Sequence, residues 1–191
     1  MAEIKPPTDQ DLVSSALRDS QAYALIVRRY EPPLRRYVGR LIGSRRDIAD
    51  DILQETFLKA YVNLNDYDPT RPFSPWMYRI AHNQAVSQLR KHGVAALTIN
   101  GEEGERILLG ITGGVDMQEM LDTVRNEKRL TAAVAALEPR YRDVMVLRFL
   151  EERSYEDIAD ILRLPMGTVA TLVSRGKDRL RKALAATGFD R

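Results

Sequence analysis

The sequence predicts an all-α protein of two small helical domains joined by a flexible linker, the second domain a helix-turn-helix. Three observations carry this expectation. Helical spacing of apolar residues runs from Thr8 to Lys91 and returns at Met117, with caps and prolines punctuating the runs. Between them, HGVAALTINGEEGERILLGITGGVDM contains Gly93, Gly101, Gly104, Gly110, Gly113 and Gly114, a cluster of acids and no sustained helical period, as a linker would. Near the C-terminus two helical runs meet at a tight turn, the second rich in Arg and Lys. The expected domains are residues 1–92 and 117–191, with 93–116 as linker.

Composition narrows the function classes. With 191 residues and 44% hydrophobic content, the chain can build packed cores. Its 29 basic and 27 acidic residues leave a net charge of only +2, so any nucleic-acid surface must be local. Cys is absent, which excludes disulfides and thiolate metal sites. His82 and His92 give little material for zinc or a catalytic triad, and neither has a Glu three residues before it, as a carboxylate-bridged metal enzyme of the helical-bundle kind would require. The expectation is a non-enzyme with no metal, cofactor or catalytic residues. No signal-peptide core and no membrane-length apolar run occurs, so the chain reads as cytoplasmic, without direct membrane insertion.

Met1–Pro7 reads as disordered. TDQDLVSSALRD is a short helix capped by Thr8 or Asp9, with Asp11 in its first turn. SQAYALIVRRYE is expected to stop at Pro32-Pro33, since an interior proline costs about 3 kcal/mol. A new helix then restarts there and ends at Gly43. In DIADDILQETFLKAYVNL, an apolar stripe of Ala49, Leu53, Phe57, Ala60, Tyr61 and Leu64 faces the core, leaving Asp51, Gln54, Glu55, Leu58 and Val62 outward. An acidic face with inserted aliphatics suits a protein partner, and a helix buried on both sides by its own domain fits the pattern too.

The stretch DYDPTRPFSPWMYRIAHNQAVSQLRK is a proline-stiffened loop leading into a helix that begins near Pro75, with Ser74 as its cap. Met77, Ile80, Ala81 and Ala85 share one side of that helix. Trp76, Arg79, Asn83, Ser87 and Arg90 share the other, a face able to stack on bases and hold phosphates, or simply a solvated surface. The linker's ILLGI, Ile107–Ile111, is too apolar for a plain tether. A helix from Met117 to Leu137 ends at Pro139, and YRDVMVLRFLEE follows as a short amphipathic helix. Ser154 with Asp157 caps the next, whose core side is Ile158, Ala159, Ile161 and Leu162. The last helix starts between Pro165 and Thr168, packs through Val169, Val173, Leu180 and Leu184, and carries Arg175, Lys177, Arg179, Arg181 and Lys182 against Asp178, five minus one or +4. Such charge fits phosphate contacts, or cations favouring a helix C-terminus.

Taken together, DDILQETFLKAY, RPFSPWMYRIAHNQA and LEPRYRDVMVLRFLEERSYEDIADILRLPMGTV resemble, in order, the polymerase-clamp-binding helix, the promoter-melting segment and region 4 of extracytoplasmic-function (ECF) sigma factors, a group of the sigma-70 family. The resemblance implies a promoter-specificity subunit of core RNA polymerase, controlled by an anti-sigma factor for which ILLGI is a docking candidate. It implies polymerase contacts at Asp51, Gln54, Glu55 and Leu58. The loop Asn63–Phe73, with Asn63, Asp66, Tyr67, Arg71 and Phe73, would capture a flipped base of the melted minus-ten strand, and Trp76, Arg79, Asn83 and Arg90 would line the strand's path. Thr168, Ala170, Thr171, Ser174 and Arg175 would read the minus-thirty-five duplex, with Arg179 and Lys182 nearer phosphates.

Two departures from the family pattern stand out. Ala170-Thr171-Leu172 replaces the frequent KSR or RSR, so readout rests on Thr171, Ser174 and Arg175, with Ala170 or Leu172 against a thymine methyl, or on DNA shape. Ser87 stands where Asp is frequent. The competing reading is a conventional dimeric helix-turn-helix regulator that binds duplex DNA without polymerase.

Overall fold

The computed structural model describes residues 6–43, 45–92 and 127–186, and these form two units, Met1–His92 and Gly93–Arg191. Both are all-α among the described residues. The linker 93–116, its ILLGI segment and the start of the helix expected from Met117 lie outside them.

The N-terminal unit packs four helices: α1 (Asp9–Arg18), α2 (Tyr23–Ile42), α3 (Ala49–Val62) and α4 (Phe73–Lys91). Helix α1 opens on a capping box. The Thr8 hydroxyl accepts from the Asp11 N–H at 3.2 Å, while the Asp11 carboxylate accepts from Thr8 N at 2.8 Å and from Thr8 Oγ1 at 2.7 Å. Those donors hold the Asp11 carboxyl below its ordinary pKa.

Pro32 and Pro33 do not end a helix; both lie inside α2. Each removes one backbone donor, yet Ile26, Tyr30, Leu34, Tyr37, Val38 and Leu41 line one buried face running through the pair. Burying that face outweighs two missing hydrogen bonds. Gly43, at φ 62°, closes the helix by donating to Gly39 O. In α4 the start is also earlier than expected: Phe73 is the first helical residue, Pro72 precedes it without a side-chain cap, and Pro75 sits within the first turn.

The C-terminal unit contains α5 (Glu127–Ala135), α6 (Pro139–Met145), α7 (Tyr155–Leu162) and α8 (Met166–Ala186). After α6 the chain widens into a π turn over Val146–Leu150, with Glu151 N–H bonded to Val146 O at 3.0 Å. Ser154 and Asp157 form the expected capping box at α7. Ser154→Ala should lower the stability of this unit by about 1 kcal/mol, read as a shift in urea midpoint by circular dichroism. The α7–α8 turn passes through Arg163 in the left-handed region (φ 55°, ψ 46°), its N–H bonded to Ala159 O. Helices α6 and α8 meet at Gly176, where an added Cβ would lie 2.8 Å from the Met145 sulfur, so any larger residue would force that buried side chain to shift.

Candidate nucleic-acid and protein interfaces

Helix α3 buries Ile52, Leu53, Thr56 and Ala60. Thr56 enters the core because its hydroxyl donates to Ile52 O at 2.6 Å. The opposite face presents Asp51 and Gln54 exposed, Glu55 half-exposed and 3.7 Å from Lys59 Nζ, and Leu58 and Val62 at 56% and 66% exposure. Tyr61, expected in the core stripe, is instead 42% exposed and edge-on to Tyr23 with ring centres 5.0 Å apart. Tyr23 donates to Phe57 O at 2.7 Å, and burial raises its phenol well above the ordinary range. The outward face is therefore acidic at one end and apolar at the other.

The loop after α3 folds over an aromatic cluster. Phe73, 3% exposed, meets Tyr30 edge-on at 5.5 Å, Tyr67 edge-on at 5.0 Å and Trp76 in a stacked geometry at 5.3 Å. The Tyr67 hydroxyl donates to Arg71 O, tying the loop across its base. The Asp68 carboxylate accepts from the Thr70 N–H at 2.9 Å and from its hydroxyl at 2.7 Å, which lowers the Asp68 pKa. Tyr67 and Phe73, expected among the minus-ten contacts, are buried at 7% and 3% exposure and form the floor of the loop. Asn63, Asp66 and Arg71 are exposed along the loop, Trp76 and Arg79 are half-buried, and Asn83, Ser87 and Arg90 continue the outward line on α4. Ile80, expected in the core, is half-buried, and Gln84 is buried in its place, accepting from Lys59 Nζ at 3.2 Å. His82 is built in as a structural group, its Nδ1 3.0 Å from the hydroxyl of fully buried Tyr37.

On α8 the expected readers divide. Thr168 and Thr171 are each 5% exposed and Leu172 is 1% exposed, so their side chains face the unit's interior. Thr171 is accommodated there by donating to Gly167 O at 2.8 Å. All three side chains therefore lie beneath the outward surface of α8. What faces outward is Met166 at 44% exposure, half-buried Ala170 and exposed Ser174, spaced i, i+4, i+8, with exposed Arg175 alongside. Met166 was missed by sequence reasoning, because a large apolar residue at a helix start reads as core.

A depression of about 400 Å³ follows, lined by Tyr141, Arg175, Asp178, Arg179 and Lys182. Arg179 lies 4.4 Å over the Tyr141 ring and 2.7 Å from Glu138, whereas Lys177 lies 5.7 Å over Phe149. Arg181 pairs with Asp178 at 3.0 Å. The cationic face is real, but part of its charge is already engaged. Among the described residues no cluster could hold a metal ion, and no helix is long and apolar enough to cross a membrane.

Residues 26–94 match the family model for Sigma-70 region 2, and 127–180 that for Sigma-70 region 4. Among curated relatives, the ECF RNA polymerase sigma factor SigW of Bacillus subtilis is 34% identical over 170 residues, covering 87% of this chain and 90% of its own length. The ECF RNA polymerase sigma-E factor of Haemophilus influenzae is 33% identical over 183 residues, covering 93% and 95%. The RNA polymerase sigma-H factor of Pseudomonas aeruginosa is 31% identical over 184 residues, covering 92% and 93%. The same fold occurs in CnrH, solved in complex with the cytosolic domain of CnrY (TM-score 0.67, 23% identity, 93% of this chain and 97% of that one). It occurs also in RpoE of Bartonella quintana, solved with the anti-sigma factor NepR (TM-score 0.61, 24% identity, 88% and 98%). With both regions in order and relatives matched over nearly their whole length, the chain belongs to the ECF RNA polymerase sigma factors of the sigma-70 family.

Proposed function

We propose that this sigma factor docks on core RNA polymerase through Asp51, Gln54, Glu55 and Leu58. The observation that carries this reading is the acidic-apolar outward face of α3, which leaves Leu58 and Val62 exposed beside its acids. The loop carrying Asn63, Asp66 and Arg71 then captures an extruded minus-ten base above the Tyr67–Phe73 floor, and Trp76, Arg79, Asn83 and Arg90 guide the opened strand. Flipping costs a few kcal/mol, and a loop already ordered by its floor adds little further ordering cost.

In the C-terminal unit, Ala170, Ser174 and Arg175 meet the minus-thirty-five major groove, with Met166 offering apolar contact to a thymine methyl. Lys182 and the outer edge of Arg179 serve phosphates. With one cation near the reading stripe, binding by this unit alone is weak and gains from polymerase holding both units on one promoter. The protein acts in the cytoplasm, without chemistry of its own. An anti-sigma factor covering the apolar end of α3 would keep it from polymerase; RpoE of Bartonella quintana was solved with such a factor, NepR.

The test is run-off transcription with purified core polymerase on a pool of promoter fragments, with and without the protein. Defined starts that require the protein support the proposal. Tight duplex binding by the free protein with no redirection of polymerase would favour the dimeric regulator instead.

A further inference from the structure

We infer that α1 is a positioning element for strand capture: Asp9, acting through Tyr30, and Gln10, bonding the loop directly, hold residues 67–73 in their binding shape. Two separate ties reach from this helix to the loop. Gln10 Nε2 donates to Pro69 O, at the loop's outer bend, at 3.3 Å. Asp9 Oδ2 accepts from the Tyr30 hydroxyl at 2.6 Å, and the Tyr30 ring sets the edge of Phe73, on which Tyr67 and Trp76 rest.

Asp9 is itself fixed by Arg29 Nη1 at 2.8 Å, and Arg29 donates onward to Pro7 O. This neutralises a carboxylate that would otherwise repel an incoming phosphodiester strand. The Asp9 charge also reaches Tyr67, whose phenol is raised first by burial and then by Asp9. Helix α1 precedes the matched region 26–94, so the brace is supplied from outside the segment that defines region 2.

The physical consequence is a lower ordering cost on binding. A surface loop with an exposed tip at Thr70 and Arg71 would otherwise sample several shapes. Fixing both its tip and its floor removes that cost before the strand arrives. The inference rests on the proposed strand capture by this loop.

The experiment uses the full chain bound to core polymerase and a fluorescent single-stranded oligonucleotide carrying the non-template minus-ten sequence found by run-off mapping. Tyr30→Phe/Gln10→Ala cuts both ties while keeping the ring that packs on Phe73. Its oligonucleotide affinity should fall roughly tenfold, the scale of one to two hydrogen bonds. Core-polymerase affinity should stay within about twofold, and the melting temperature should fall by no more than about 4–8 °C, leaving the unit fully folded at the assay temperature. Asp9→Asn, which keeps an acceptor for Tyr30, should retain affinity within about threefold of wild type. The inference is overturned if the double variant binds the oligonucleotide like wild type, or if its loss is matched by a loss of polymerase affinity or folding. If wild-type holoenzyme does not bind the strand at all, strand capture fails and takes the brace with it.

Discussion

Asp51→Arg combined with Glu55→Arg is expected to reduce protein-dependent transcription at least about a hundredfold while leaving the fold intact. The two positions are one helical turn apart on the outward face of α3, so a basic partner surface would meet two cations where it met two anions. Juxtaposed like charges at an interface cost several kcal/mol, and about 2.7 kcal/mol already gives a hundredfold. The effect on the fold is far smaller. Glu55 gives up an exposed pair with Lys59, typically about 0.3–0.5 kcal/mol, and Asp51 leaves the first turn of α3, where an acid gains about 0.3–1 kcal/mol from the helix dipole. Run-off yield, a direct binding measurement with core polymerase, and a thermal melt separate the two effects. Wild-type yield from the variant would remove α3 as the docking face.

Phe73→Ala should destabilise the N-terminal unit by about 3–5 kcal/mol. The ring is buried, and it touches Tyr30, Tyr67 and Trp76 together, so its loss opens a cavity bordered by three aromatics that cannot all move in. Trp76, the only tryptophan in the chain, stacks on it and reports its removal directly. Urea unfolding followed by Trp fluorescence should show a lower midpoint and an altered native emission. Binding of the melted strand should fall with it even where the unit remains folded, because the floor of the loop is gone. Ser87→Ala, on the exposed face of α4, serves as the control and should stay within about 0.5 kcal/mol.

Features that depend on near neighbours could be read from the chain alone. The Thr8–Asp11 and Ser154–Asp157 boxes each need only four residues, and both sit where expected. The tight turn before α8 and the outward position of Asp51, Gln54 and Leu58 on α3 belong to the same class. What could not be read depends on distant partners. Pro32 and Pro33 remain helical because of a buried face that only the folded unit creates. The burial of Phe73 depends on Tyr30, which another helix places against it, and Tyr67 in turn packs on Phe73. Thr168 and Thr171 look polar and outward, yet the helix rotates them inward with Leu172, and Thr171 satisfies its hydroxyl on the preceding turn. Gln10, at the far end of a contact spanning 59 positions, gives no local signal.

The loop between α3 and α4 is held by main-chain oxygens at two of its positions, Pro69 O facing Gln10 and Arg71 O facing Tyr67. A carbonyl oxygen is the same whatever side chain its residue bears. Shape and chemical preference are therefore separately adjustable along this loop. On the proposed strand capture, a library randomised at Asp66, with the floor, its ties, the Asn63 bond to Lys59 O and the Arg71–Asp68 pair left alone, is expected to vary the sequence preference of the protein.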